Sequence, residues 1–149
     1  MKRWLAFGLL VLALNFAWEM SQAPWFASMR GLPFWPATWL CARAALGDVM
    51  IAAIAFAIAA AVAKRLAWPV NRRAALATVV FILTGLAISA AYEWFALRSG
   101  WWRYEGGMPT LFGLGLLPLL QWCLLPIAEV ILFRMMWRGG AARARRGRP

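Results

Sequence analysis

The chain contains no histidine. That absence removes the usual axial ligand of haem, the commonest zinc ligand and the usual general base. Acids are scarce too: five Asp and Glu stand against 16 Lys and Arg, for a net charge of +11. Any proton chemistry must therefore fall on a handful of carboxyls. The two cysteines, Cys41 and Cys123, lie inside apolar runs, which excludes a disulfide framework and reads as packing. Met20, Met29 and Met108 have a spacing that fits no Cu(I) ligand set, so no metal and no cofactor is expected.

What is present is lipid-loving sequence. The chain has 149 residues, 64% of them hydrophobic, with mean hydropathy +0.68. That exceeds ordinary soluble composition, and the length suits one compact unit. Four apolar runs, at about 4–23, 38–63, 74–97 and 112–134, each have the roughly 20 residues needed to cross a hydrocarbon core. The expected fold class is all-α: a polytopic membrane protein with four transmembrane helices over 1–134. A basic tail without regular structure follows over 135–149.

The basic residues fix an expected orientation. Lys2 and Arg3, then Lys64, Arg65, Arg72 and Arg73, then Arg134, Arg138, Arg143, Arg145, Arg146 and Arg148 fall on one side. Only Arg30, Arg43, Arg98 and Arg103 fall on the other. The positive-inside rule then puts both termini in the cytoplasm, in the inner membrane of a bacterium. The charge is thus matched to anionic headgroups, and no nucleic acid is expected as a partner, because no module for it is present. The first run also has the outline of a secretory signal, with "SQA" as a cleavage site. Pro24 immediately after that site favours an uncleaved span instead.

The first span ends in "NFAWEMSQ". Asn15, Trp18, Glu19 and Gln22 lie at i, i+3, i+4 and i+7, one face of a helix. Ser89, Tyr92 and Glu93 repeat the pattern 74 residues later, and Asp48 and Gln121 are 73 apart. Two hairpins related as a parallel repeat would produce this echo, as would chance likeness between apolar helices. At 1.5 Å per residue, Asp48 and Gln121 sit roughly 14 Å below the outer helix ends, with Asn15 and Ser89 at roughly 12 Å. Each helix therefore offers one polar group to a shared deep layer. Glu19, Glu93, Tyr92 and Arg43 lie about a turn nearer the outside.

Intramembrane acids are costly and almost always face a bundle interior. Glu19, Glu93 and Asp48 are accordingly the candidate acid/base residues. Asn15, Trp18, Gln22, Arg43, Ser89, Tyr92, Trp94, Tyr104 and Gln121 are candidates for binding or orienting a ligand. Arg43 is expected to reach Glu19 or Glu93 on a neighbouring helix. Glu129, near the cytoplasmic end of the fourth span, reads as a structural ion pair beside Arg134. Gly106, Gly107, Gly113, Gly115, Pro109 and Pro118 can shape a re-entrant or capped helix start. Trp101, Trp102, Tyr104 and Glu105 would then form a lid over the layer, or an ordinary aromatic belt.

The arrangement "NFAWE", "GD", "YEW" and "GLGLLPLLQW" resembles a family of uncharacterised four-span bacterial membrane proteins. That likeness covers most of the chain and implies no activity. Asn15, Trp18 and Glu19 resemble the Asn-x-x-Trp-Glu helix of membrane-embedded terpene cyclases, seven-span enzymes in which the glutamate donates a proton. The run "LLPIAEVILF" is similar to the end of carotenoid lycopene cyclase domains, although Ala128 stands where those have the first of two acids. These likenesses imply acid/base chemistry, cyclase- or isomerase-like, on an isoprenoid or lipid-like molecule. A proton-coupled small-molecule carrier is the alternative, as is a non-catalytic subunit or assembly factor whose polar layer is structural. Membrane lipids are expected partners, and a homo-oligomer or a larger membrane complex fits the same features.

Overall fold

A computed structural model describes residues 2–71 and 74–146; the side chains of Arg3 and of residues 138–146, and all of Arg72, Arg73 and 147–149, lie outside the description. Helix α1 spans Lys2–Gln22 and is followed by two short 3-10 turns, Ala23–Trp25 and Ala27–Met29. Helix α2 spans Phe34–Ala63, a 3-10 turn covers Trp68–Val70, and α3 spans Ala75–Arg98. Strands β1 (Thr110–Leu111) and β2 (Leu114–Gly115) precede α4, Leu116–Arg146. Among the described residues, four helices are long and apolar enough to cross a membrane. The protein is an all-α, multi-pass membrane protein.

Helix boundaries follow local chemistry. Pro24, two residues past the end of α1, cannot continue a helix. Helix α2 starts at Phe34 rather than near 38, because Pro33 caps it and Pro36 sits in its first turn, where a missing N–H costs nothing. It ends at Lys64, which turns left-handed at φ 53°. Helix α4 starts at Leu116 rather than 112 because the residues before it form a hairpin. Phe112 and Gly113 both have positive φ, 53° and 82°, the backbone of a two-residue primed turn. At its far end α4 continues past 134 to Arg146.

The helices form a closed ring in which α1 packs on α2 and α4, and α3 packs on α2 and α4. One end carries the chain's start, the α2–α3 turn and the run-out of α4; we call it the terminal end, and the other the loop end. The terminal end is filled by aromatics. Trp68, Phe81 and Phe133 are buried and surround Phe56, with Trp4 against Phe56 and Phe133. Helix α2 buries a small-residue stripe, Ala45, Ala52, Ala55 and Ala59, which permits close approach of its neighbours. Mid-bundle, Gly85 of α3 leaves room for the buried Trp122 of α4: a Cβ there would lie 2.1 Å from the indole.

At the loop end the two long connections are tied to each other. Ala27 N–H donates to Arg103 O and Glu105 N–H to Trp25 O, each at 2.9 Å, around a bridge between Phe26 and Tyr104. Arg30 pairs with Glu105 across the same junction. Tying the loops to one another holds both helix pairs in register at this end.

Candidate functional site

Beneath the tied loops, α1, α2 and α4 place polar side chains in one connected chain. Trp18 Nε1 donates to Gln22 Oε1 at 3.2 Å, and Gln22 Nε2 donates to Glu19 Oε1 at 2.6 Å. The Glu19 carboxyl faces that of Asp48 on α2 within hydrogen-bonding reach. Gln121 Nε2 on α4 then donates twice, to Asp48 Oδ2 and to Asn15 Oδ1, both at 2.9 Å. Asn15 Nδ2 donates to Val11 O at 2.9 Å and, at 3.4 Å, to Glu129 Oε1. Asn15, Gln22, Gln121 and Glu129 are each at most 4% exposed.

The chemistry of this chain is set by which group follows which. Each of the three acids, Glu19, Asp48 and Glu129, accepts from a carboxamide, Gln22, Gln121 and Asn15 in turn, and an amide N–H can only donate. The amides therefore fix the orientation of the acids and do not ionise. The one direct acid-to-acid contact, Glu19 with Asp48, needs a proton on one partner for the other to accept. No cation neutralises the layer: among the described residues the only ion pair is Arg30–Glu105, at the loop surface. Nor do the described residues hold a group of three or more His, Cys, Asp or Glu placed for a metal.

Glu93, on α3, lies outside this chain. It is buried, and its Oε1 accepts a hydrogen bond from the Tyr104 hydroxyl, which itself accepts one from Gly115 N–H at 2.6 Å. A Cβ at Gly115 would lie 3.1 Å from both Glu93 Oε1 and the Tyr104 hydroxyl, so the hairpin sits directly on the carboxyl. Burial, reinforced by Glu93, pushes the Tyr104 phenol above its ordinary range. Glu93, Tyr104 and Gly115 thus pin the second loop to α3. Of Trp101, Trp102, Tyr104 and Glu105, expected as a lid or an aromatic belt, Tyr104 and Glu105 lie in a roof of tied loops, with Trp102 half-buried against Phe26 and Tyr92. Trp101 lies outside it, exposed and packed on Phe95 and Tyr92.

Several expected site residues point elsewhere. Arg43 meets neither Glu19 nor Glu93; it projects outward from α2, because it lies on the face opposite the buried Cys41–Ala45–Ala52 stripe. Tyr92 and Trp94 are each 51% exposed, flanking the buried Glu93, and Trp94 lies under the Arg98 guanidinium. Ser89 is half-buried and makes no hydrogen bond among the described residues. The two stripes of the sequence echo therefore do different work. Asp48 and Gln121, the matched pair on the even helices, do meet, and they bond to each other.

Glu129 corrects the expectation of an ion pair. It joins the layer through Asn15, while Arg134 donates from Nε to Pro69 O at 2.6 Å. The available signal was the ladder Gln121, Leu125, Glu129 at i, i+4 and i+8, which places both polar groups on one face.

Among the described residues, two of the cavities on the bundle are not lined by any acid. One, of about 200 Å³, lies at the α2–α3 turn beside Trp68 and Ala77. The other, of about 370 Å³, is an apolar groove in the α1–α2 seam lined by Leu9, Leu12, Ala13, Phe16, Ala42 and Leu46. The same two helices carry the facing Glu19 and Asp48. Comparison with protein-family models, with curated proteins and with solved structures finds no match, so the site rests on its own geometry.

Proposed function

We propose that the protein performs acid/base chemistry on an apolar, isoprenoid- or lipid-like molecule, with the Glu19–Asp48 pair as the proton-exchanging group. The observation that carries this reading is the carboxyl-to-carboxyl contact, held on one side by Gln22 and on the other by Gln121. Two acids sharing a proton in a water-poor place form an un-ionised donor beside its conjugate acceptor. Glu129, reached only through amides, orients the far end. Glu93 holds the roof. The distribution of Lys and Arg supports termini on the cytoplasmic side of a bacterial inner membrane.

The substrate reaches the pair through the α1–α2 seam, where Phe16 lies one turn from Glu19 and offers an aromatic face to a cation. The step balances within the pair. The carboxyl O–H adds its proton to one carbon of a C=C bond, leaving a carbocation on the other. Loss of a proton from a neighbouring carbon to the facing carboxylate then restores the acid and moves the double bond. The Asn-x-x-Trp-Glu likeness of Asn15, Trp18 and Glu19 fits the same role for Glu19.

Deuterium provides the test. Proteoliposomes in D₂O, given a long-chain acyclic polyisoprenoid, should incorporate deuterium at carbon, and Glu19→Gln and Asp48→Asn should both abolish it. A wild-type protein that folds, inserts and incorporates none removes the reading. A structural role for the layer is the second reading, favoured because every amide is spent on an acid and neither cavity exposes one. It expects the same variants to lower thermal stability without altering any substrate.

A further inference from the structure

Helix α2 is 30 residues long, about 45 Å at 1.5 Å per residue, against a hydrocarbon core of about 30 Å. Its loop end therefore stands in the headgroup region. Trp35 and Trp39, 76% and 65% exposed, mark that region as interfacial tryptophans do. Arg43 completes an i, i+4, i+8 stripe with them, one turn of about 5.4 Å further in. It is thus an outward-facing cation just beneath the headgroup level.

Its lack of a partner sets it apart. Of the other arginines on the membrane-length helices whose side chains are described, Arg98 lies over the Trp94 ring and Arg134 bonds Pro69 O. Among the described residues Arg43 has neither a hydrogen bond nor an ion pair. An arginine facing lipid is costly unless its guanidinium reaches an anion, and the headgroup layer above it supplies phosphates. The guanidinium fork matches phosphate oxygens two at a time, which a lysine cannot do.

What lies beside Arg43 is a chain-shaped space. Ala42 and Leu46 line the apolar groove of the α1–α2 seam, and Arg43 is adjacent to the first and three residues from the second. Cys41 Sγ lies 3.6 Å from Glu19 O, so the Arg43 level of α2 matches the loop-ward end of the groove. From there Phe16, Ala13, Leu12 and Leu9 descend along α1 for about 10 Å by helical rise. At about 370 Å³ the groove falls at the low end of ligand-site volumes.

We propose that the α1–α2 groove is a binding site for a phosphate-headed anionic lipid of the loop-side leaflet, with Arg43 on the phosphate and a hydrocarbon chain in the groove. This names the class of molecule the seam admits and rests on the acid/base reading only for what happens after binding. The anchor places the chain alongside the two helices that carry Glu19 and Asp48, so a bound lipid is held by its head with its tail next to the acid pair.

The experiment is native mass spectrometry of the purified chain titrated with palmitoyl-oleoyl phosphatidylglycerol, and with the phosphate-free diacylglycerol of the same chains. Wild type should retain the phospholipid at least tenfold better than the diacylglycerol. Arg43→Ala should lose about tenfold in phospholipid retention and Arg43→Lys less, because a point charge replaces the fork. Ala42→Phe, which fills the groove, should lose both lipids, while Arg98→Ala should bind as wild type does. Equal retention by wild type and Arg43→Ala, or of the two lipids by wild type, overturns the proposal; so does an equal loss in Arg98→Ala. Arg43-dependent binding without deuterium incorporation keeps the lipid site and removes the acid/base reading.

Discussion

Gln121 is the residue whose removal best measures the polar layer. Its Nε2 makes both of the 2.9 Å bonds that join α4 to α2 and to α1. Gln121→Leu keeps the approximate volume and deletes both donors. By soluble-protein values, one bond to a charged acceptor and one to a neutral one total about 2–4 kcal/mol. Within a bilayer each interhelical bond contributes less, about 0.6 kcal/mol on average and up to about 1.7, because the separated helices also find partners. A new leucine gains nothing in return, since lipid tails are as apolar as the bundle interior. The expected loss is therefore about 1–3 kcal/mol. Cys41, fully buried on α2, supplies the readout: its thiol reactivity under mixed-detergent unfolding, in a Cys123→Ser background because Cys123 is exposed. Ser89→Ala, which breaks no hydrogen bond seen among the described residues, should change stability by less than about 0.5 kcal/mol. In a double-mutant cycle, Gln121→Ala and Asp48→Ala should couple by about 0.6–1.7 kcal/mol. A coupling indistinguishable from zero, or a Gln121→Leu variant as stable as wild type, refutes the hydrogen-bonded layer.

Three other expectations follow from the same geometry. Gly85→Ala forces a Cβ to 2.1 Å from the Trp122 ring and should cost about 1–3 kcal/mol or more in a detergent melt, with partial recovery when Trp122 is also changed to Leu. Tyr104→Phe tests the roof through pH. The folded phenol is raised above its unfolded value near 10, so its contribution is complete below that pH and is lost as pH climbs through the folded value. Wild type should therefore lose stability above about pH 10 more steeply than Tyr104→Phe, and parallel curves would remove the Tyr104–Glu93 contact. Glu105→Gln breaks an ion pair whose arginine side chain is 77% exposed, and should shift stability by less than about 1 kcal/mol. A larger loss by the same melt would mean the backbone bonds between Ala27, Arg103, Trp25 and Glu105 do not hold the loops alone.

The number of spanning helices was legible because lipid imposes a linear requirement: a run of apolar residues either reaches across or does not. Hairpin and cap details escaped. Phe112 at positive φ carries no local signal, and Pro33 and Pro36 moved the start of α2 only because they fit its cap and first turn.

The periodicity of Asn15, Trp18, Glu19 and Gln22 established, from the chain alone, that Glu19 shares a helix face with two carboxamides and an indole, since 3.6 residues per turn is a property of any helix. It did not determine what that face meets. Only the packing of four helices brought Asp48 to Glu19, drew Glu129 in through Asn15, turned Glu93 to Tyr104 and left Arg43 on the outer face. The rotation of each helix about its own axis is set by its neighbours' side chains, above all Gly85 against Trp122 and the alanine stripe of α2. That rotation decides which acid faces which partner, and no single helix encodes it.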